Sequence, residues 1–467
     1  MSHSPISPTG APNDPVHLTE MMPVAQLTPR QANPRVHSKK QIKQIARSIE
    51  RFGFNSPVLI DNNGGIVAGH GRVAAAKLLG TTAIPVRRLS HLSPEEVRAY
   101  VIADNRLGEL AGWDSEMLAI ELQAVIDIGI DVQLTGFEMG HIDIILQDAQ
   151  EARREDADHE EEILEPSSDA VVSQLGDVWV LGQHRVICGD ARDSEVYRRL
   201  LDGDKAEMVF TDPPYNLKVD GHVCGKGSIR HREFAMASGE MSSGAFTEFL
   251  ETSFNCMVAH TTDGSIHYVC MDWRHLAEML AAGRASYSEL KNICVWVKTN
   301  AGMGSLYRSQ HEFTFVWKSG TAPHINNVEL GRHGRNRSNV WTYHGINTMR
   351  PERLEELAMH PTVKPVALVA DAIMDCSRRN SLVLDPFAGS GTILIAAEQT
   401  GRRARAIEID PRYIDVAVRR WQRQTGKEAT LAETGQTFQQ VQQVRGKVVV
   451  LHPAGNPPEN SELKEAA

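Results

Sequence analysis

With 467 residues the chain is too long for one ordinary domain and calls for two or three. Its 41% hydrophobic and 23% charged residues suit a globular protein, no apolar run approaches the ~20 residues that cross a bilayer, and Met1-Ser2-His3-Ser4-Pro5 lacks the basic flank and apolar core of a secretory signal. A formal net charge of −10 excludes a uniformly basic nucleic-acid binder, and six cysteines without paired spacing (Cys188, Cys224, Cys256, Cys270, Cys294, Cys376) argue against a metal site and for reduced thiols in a cytoplasm.

Residues 1–15 are rich in Ser, Pro and Gly and are expected to be disordered. Residues 40–49 then place Ile42, Ile45, Ala46 and Ile49 on one helical face, and Gly53 ends that helix because glycine tolerates a left-handed cap. A strand over 56–61 is turned back by Asn62-Asn63-Gly64-Gly65 as a hairpin. Ile66-Val67-Ala68 runs into Gly69-His70-Gly71-Arg72, a helix follows over 73–79, and 84–88 reads as a closing strand. A helix N-terminus offers free amide protons and Arg72 a planar guanidinium, so Gly69, His70, Gly71 and Arg72 are candidates for holding a phosphate. The plainer alternative is a tight turn with Arg72 paired to a local acid. From 93 to about 147 the reading is helical, with Ser93 as N-cap and Pro94 at the first helical position; 103–106 and 112–114 read as packing segments. The acidic stretch within 148–170 reads as a solvated linker.

Two short strands over 177–182 and 184–190, joined at Gly182-Gln183, open the second half. Met208-Val209-Phe210 ends a buried strand and leads into Thr211-Asp212-Pro213-Pro214-Tyr215-Asn216. Two successive prolines continue neither a ladder nor a helix, so they force a rigid extended turn. The Asp212 carboxylate and the Pro213 carbonyl can each accept one hydrogen of an aromatic amine, and Tyr215 can stack on the ring that bears it. Residues 217–244 read as a lid that orders on nucleic acid, or as an ordinary long surface loop. A helix over 246–258 and strands over 265–270 and 293–298 follow.

A Gly-rich loop ends in Arg308, and 331–341 holds Arg332, Arg335 and Arg337 among His333, Asn336 and Asn339. Arginine and asparagine suit guanine and adenine edges, and arginine also grips phosphate, so 321–350 is a candidate recognition segment. A solvated insertion is the alternative. Downstream, the strand 381–384 enters Asp385-Pro386-Phe387-Ala388-Gly389-Ser390-Gly391-Thr392, and a helix begins at Ile393. Strand, glycine-rich turn and helix form a nucleotide-type cofactor site, here without the lysine of a phosphate-binding loop. The next strand, 405–410, carries Glu408 and ends in Asp410, an acid placed to bind ribose hydroxyls. Residues 411–423 read as the terminal helix and 441–467 as a disordered tail.

Asp212-Pro213-Pro214-Tyr215 resembles the catalytic motif of amino-group DNA methyltransferases, and the 385–392 turn resembles their S-adenosylmethionine loop. Because the catalytic motif comes first, the segment from about 175 to 440 resembles the permuted group called beta. Gly189-Asp190 resembles that family's contact to the cofactor adenine, and His360-Pro361-Thr362-Val363-Lys364-Pro365 the segment whose lysine borders the methionine part. The run from His311 to Val316 resembles the strand lining the target-base pocket. The N-terminal module resembles the ParB/sulfiredoxin-like domain, whose Gly-x-x-Arg box binds a nucleotide phosphate. Partition proteins usually carry two arginines there and this chain has one, which puts nucleotide hydrolysis in doubt. His70 stands where sulfiredoxin chemistry needs a cysteine.

The resemblance implies an α/β fold: a Rossmann-like methyltransferase sheet with permuted motif order over 171–440, preceded by a small α+β ParB/sulfiredoxin-like domain over 16–147. It implies methyl transfer from S-adenosylmethionine to the exocyclic amine of a flipped base in double-stranded DNA. Asp at the first motif position favours adenine N6 over cytosine N4. The rival reading is a ParB-like DNA clamp with a degenerate methyltransferase half, against which both motifs stand intact. The implied catalytic residues are Asp212, Pro213, Pro214 and Tyr215. The cofactor residues are Asp190, Lys364, Asp385, Phe387, Gly389, Gly391, Thr392 and Glu408, with a nucleotide at Gly69–Arg72 a further expectation. Arg308, Arg332, Arg335 and Arg337 are the DNA contacts. The setting is a cytoplasmic restriction-modification enzyme, for which a homodimer is one assembly the reading allows.

Overall fold

The computed structural model describes residues 19–30, 33–155, 171–216, 239–298, 306–328, 337–343 and 363–449 and divides into two units, Met1–Ala152 and Arg153–Ala467. The first unit runs β1 (Thr19–Pro23), α1 (Lys39–Phe52), β2 (Val58–Ile60), β3 (Ile66–Ala68), α2 (His70–Leu78), β4 (Ala83–Arg88), α3 (Pro94–Leu110), α4 (Ser115–Asp127) and α5 (Met139–Glu155). Its sheet has the order β1-β4-β2-β3. The strand expected to close the module is therefore an inner one, antiparallel to β1 and parallel to β2. β1 carries no apolar alternation because four of its five side chains are exposed, so backbone pairing holds it rather than burial. The Ser38 side chain caps α1, and Gly69, at φ 102°, occupies the left-handed region that starts α2. Ser93 and Glu96 form a reciprocal capping box at α3, with Pro94 in its first turn. α4 and α5 share a small core of their own around Leu122 and Ile142.

The second unit contains β5 (Val178–Leu181), β6 (His184–Cys188), α6 (Ser194–Leu201), β7 (Ala206–Thr211), α7 (Ser243–Ala259), β8 (Thr261–Met271), α8 (Leu276–Ser286), β9 (Glu289–Val297), β10 (His311–Lys318) and β11 (Val340–Thr342). After these come α9 (Val366–Cys376), β12 (Leu382–Asp385), α10 (Thr392–Thr400), β13 (Arg403–Glu408), α11 (Pro411–Thr425), β14 (Thr430–Leu431) and α12 (Phe438–Val449). One sheet holds all ten strands in the order β11-β9-β10-β8-β7-β12-β13-β6-β5-β14. Its centre, β8-β7-β12-β13-β6, is parallel, and the flanking β10, β9 and β5 pair antiparallel. Parallel strands need both faces covered. One apolar cluster packs α9, α10 and α11 on the sheet, and another packs α6, α7 and α8.

The chain leaves β7 for β8 on one side and β12 for β13 on the other, so β7 and β12 flank the point where the winding reverses. Ligands of such sheets lie outside the carboxyl ends at that crevice. Two expectations fail at the C-terminus. α11 is not the last helix, and the stretch expected to be disordered from 441 is helical as far as Val449. The reason is burial: Phe438 and Val441, three positions apart on α12, are 3% and 2% exposed, and the Phe438 ring lies 5.1 Å from that of Trp179. Arg445 adds an ion pair to Asp177 at 2.5 Å. Among the described residues no helix is long and apolar enough to cross a membrane.

Candidate active site

β7 and β12 run parallel with Val209 beside Leu384, so the turns after them emerge side by side. The Thr211 hydroxyl donates to the Asp385 carboxylate at 2.8 Å and ties the two turns together. In the first turn the Tyr215 hydroxyl donates to Asp212, and Asn216 adopts the left-handed region at φ 52°. The Asn216 amide accepts from Gly239 and Met241 and donates to the Met241 carbonyl, which fastens the turn to the chain ahead of α7.

Asp212 does not stand free. The Lys364 ammonium lies 2.5 Å from its carboxylate, 3.2 Å from the Tyr215 hydroxyl and 3.0 Å from Glu312. Lys298 pairs with the other Glu312 oxygen at 2.5 Å. Burial pushes the Asp212 carboxyl up, against the pull of Lys364. Burial also opposes the Glu312 charge, but Lys364 and then Lys298 outweigh it and bring that carboxyl down to about 2. Glu312 therefore holds its charge more firmly than Asp212. Glu312, within the run expected to line the target-base pocket, and Lys298, at the end of the expected strand 293–298, had no role of their own in the sequence. Their signal was an acid at the second place of the largely apolar strand β10, beside a lysine just past the end of β9. Lys364, expected beside the methionine part of the cofactor, directs its ammonium at the Asp212 carboxylate.

The second turn carries most of the expected cofactor residues. Asp385 accepts from the Phe387 amide at 3.1 Å, and burial pushes its carboxyl up to about 7. Phe387 packs toward Phe249, their ring centroids 6.0 Å apart. The Gly389 and Asp410 amides both donate to Glu408 at 2.9 Å. Burial pushes the Glu408 carboxyl up to about 7 as well, against the pull of those amides. Gly391, at φ 79°, starts α10; a Cβ there would lie 2.7 Å from that of Ala417. Thr392 accepts from the buried Arg420 at 3.0 Å. Asp190 follows β6, the parallel neighbour of β13, and receives a fork of bonds from Arg192; these hold its carboxyl below the usual range against the cost of burial. Asp410 caps α11 and pairs with Arg412 at 2.9 Å.

Of the four expected DNA contacts, two fall among the described residues. Arg332 and Arg335 lie outside the described residues, as do 217–238 of the expected lid. Arg308 is exposed ahead of β10. Arg337 is engaged within the unit: its guanidinium pairs with Asp371 at 2.6 Å and Asp375 at 2.8 Å, donates to the Tyr343 hydroxyl at 2.9 Å and covers the Trp341 ring. A largely buried cation needs such partners, and two of them belong to α9. In the first unit, His70 accepts from the Arg30 amide at 3.4 Å. Burial lowers the Arg72 pKa while Asp104 attracts the guanidinium.

Three family models match the chain: a ParB N-terminal domain over 11–105, a ParB-methyltransferase HTH domain over 116–175 and a DNA methylase over 206–419. The second begins just after the segments expected to pack, 103–106 and 112–114, and covers α4 and α5. The ParB-like nuclease domain-containing protein YnaK of Escherichia coli K12 is 47% identical over 74 residues, 16% of this chain and 85% of YnaK. The type II methyltransferase M.HpaI of Haemophilus parainfluenzae is 25% identical over 258 residues, 50% of this chain and 73% of M.HpaI. Among solved structures, the M1.HpyAVI–SAM complex is 19% identical with a TM-score of 0.38, covering 50% of this chain and 97% of that one.

Proposed function

The chain belongs to the ParB-like family and carries a DNA methylase domain of the N6/N4 class, and from that premise we propose that it methylates the N6 amine of adenine at a specific site in double-stranded DNA. The observation that carries the reading is the pair of turns at the switch point, one with Asp212 and Tyr215 and one with Asp385, joined by the Thr211–Asp385 hydrogen bond. S-adenosylmethionine, when bound, supplies an electrophilic methyl group on a sulfonium. The donor set fits such a ligand: Glu408 is a buried carboxylate able to accept ribose hydroxyls, and the 385–392 loop has no cation to meet a phosphate. Asp385, Phe387, Gly389 and Glu408 would hold it, with Asp190 beside them.

An adenine in a duplex must leave the stack to reach the turn, at a cost of a few kcal/mol, and stacking on Tyr215 would return about 1–3 kcal/mol. Asp212 and the Pro213 carbonyl accept the two amine hydrogens and favour the pyramidal nitrogen of the transition state. That arrangement stabilises developing positive charge, the mirror image of an oxyanion hole. The extra proton leaves to solvent after transfer. No thiol takes part, and Cys270, buried beside the cluster, has its pKa raised by burial.

The choice of adenine rests on the Asp at the first motif position. Single-molecule sequencing of DNA from a methylation-free host expressing the chain tests it. N6-methyladenine at one motif is expected. N4-methylcytosine would overturn the base assignment but keep the reaction, and unmodified DNA would overturn the reaction.

A further inference from the structure

Lys364 sits where the reaction needs an amine. Its nitrogen is 2.5 Å from an Asp212 oxygen, 3.2 Å from the Tyr215 hydroxyl and 5.6 Å from the centre of the Tyr215 ring. A nitrogen donating to Asp212 beside that ring is the pose the proposed function gives to the target amine. One Asp212 oxygen accepts from Tyr215 and the other from Lys364, so an incoming amine must displace a donor. The same ammonium already touches a second carboxylate, Glu312, whose other oxygen Lys298 holds. Glu312 lies on β10, outside both motif turns, and is 7% exposed. Keeping a second acid buried there is unfavourable unless its charge stays partnered, as Lys298 and Lys364 keep it.

We propose that Glu312 is a positioning residue that receives the Lys364 ammonium when the target amine replaces it on Asp212. In the free enzyme Lys364 stands in for the amine and satisfies Asp212 in a buried site. When the base arrives, Lys364 shifts to Glu312 and is not expelled to water. The exchange moves no net charge into or out of the site, because the amine is neutral and Asp212, Glu312, Lys298 and Lys364 keep two charges of each sign. Solvating a displaced ammonium in a closed site would otherwise oppose base entry. The proposal rests on the reading of Asp212 as the amine seat.

The test uses the full chain and duplexes bearing the motif that methylome mapping returns. One duplex has adenine at the target. The other has 2-aminopurine, which lacks a 6-amino group and brightens when it leaves the stack. Glu312→Gln is expected to flip 2-aminopurine as the parent does, yet to methylate adenine at least tenfold more slowly in a single turnover. Adding Lys364→Ala to Glu312→Gln should recover most of that loss, because no ammonium then needs a second seat. Loss of flipping in Glu312→Gln would assign Glu312 to the fold and overturn the proposal. A parental rate in Glu312→Gln, or a double variant no faster than the single one, would overturn it too. Failure of the underlying reading looks different, since Asp212→Ala would then methylate at the parental rate.

Discussion

At Asp212 the local chemistry decides what one substitution does. Its carboxylate is asked to hold an amine hydrogen as charge develops, so Asp212→Ala should leave cofactor binding intact and slow transfer on the order of 10²–10³-fold, the loss typical of one preorganised electrostatic partner. Calorimetry with S-adenosylmethionine and single-turnover methylation check the two halves of that statement. Asp385 and Glu408 differ from Glu312 in sign. Burial raises both to about 7, so their contribution to stability is complete below the ordinary carboxylate range and is lost as pH rises through about 7. Lys364 and Lys298 hold Glu312 down to about 2, so its contribution is present above the ordinary range and is lost as pH falls toward 2. An ionised Glu408 is the better acceptor for ribose hydroxyls. The ligand-free melting temperature should therefore fall, and S-adenosylmethionine affinity should rise, as pH passes upward through about 7. Glu408→Gln should flatten the affinity trend and lessen the melting trend, whose remainder belongs to Asp385; trends unchanged in that variant would detach them from Glu408. Asp212 and Glu408 were legible in the sequence because one opens the turn after an apolar strand and the other lies in the strand that follows the glycine-rich turn. Glu312 was legible only as part of a strand resembling the pocket wall, because an acid inside a strand declares its own role only when its partners, Lys298 and Lys364, arrive from elsewhere in the chain.

The link between the segment 337–343 and α9 changes what Arg337 is for. Its guanidinium joins Asp371, Asp375 and Tyr343, and Trp341 lies under it. Arg337→Ala leaves two acids without that cation, and breaking such a buried pair costs on the order of 3 kcal/mol. Urea unfolding should show that loss while the methylated motif stays the same; a changed motif with parental stability would return Arg337 to DNA reading. In the cofactor turn, Gly391→Ala meets both a left-handed backbone and the Ala417 Cβ at 2.7 Å, so it should separate α10 from α11. Weakened S-adenosylmethionine binding with a lower melting temperature is the expected result. The ends of β7 and β12 were readable because apolar runs met Pro-Pro and Gly-x-Gly. β1 and α12 were not, since one is held by backbone pairing and the other by two apolar contacts that sequence distance conceals.

Across the whole chain, the two units carry separate cores, and the ten strands of the large sheet all belong to the second. A fragment beginning at Val171 should therefore fold and methylate DNA, with the first unit contributing affinity or site choice rather than chemistry. Soluble expression and methylation by that fragment check it, and an inactive fragment beside an active full chain would make the first unit part of the catalytic fold. The sequence by itself determined the class of chemistry, because proline and glycine at strand ends restrict the backbone wherever the chain is placed. It also determined the order of the motifs and the acidic break near the unit boundary. Tertiary structure alone decided the partners of the charges. A buried lysine is stable only beside carboxylates, and the carboxylates that meet Lys364 lie 152 residues away at Asp212 and on a strand begun by His311. Folding set that pairing, and with it which acid keeps its charge and which arginine is committed to the core.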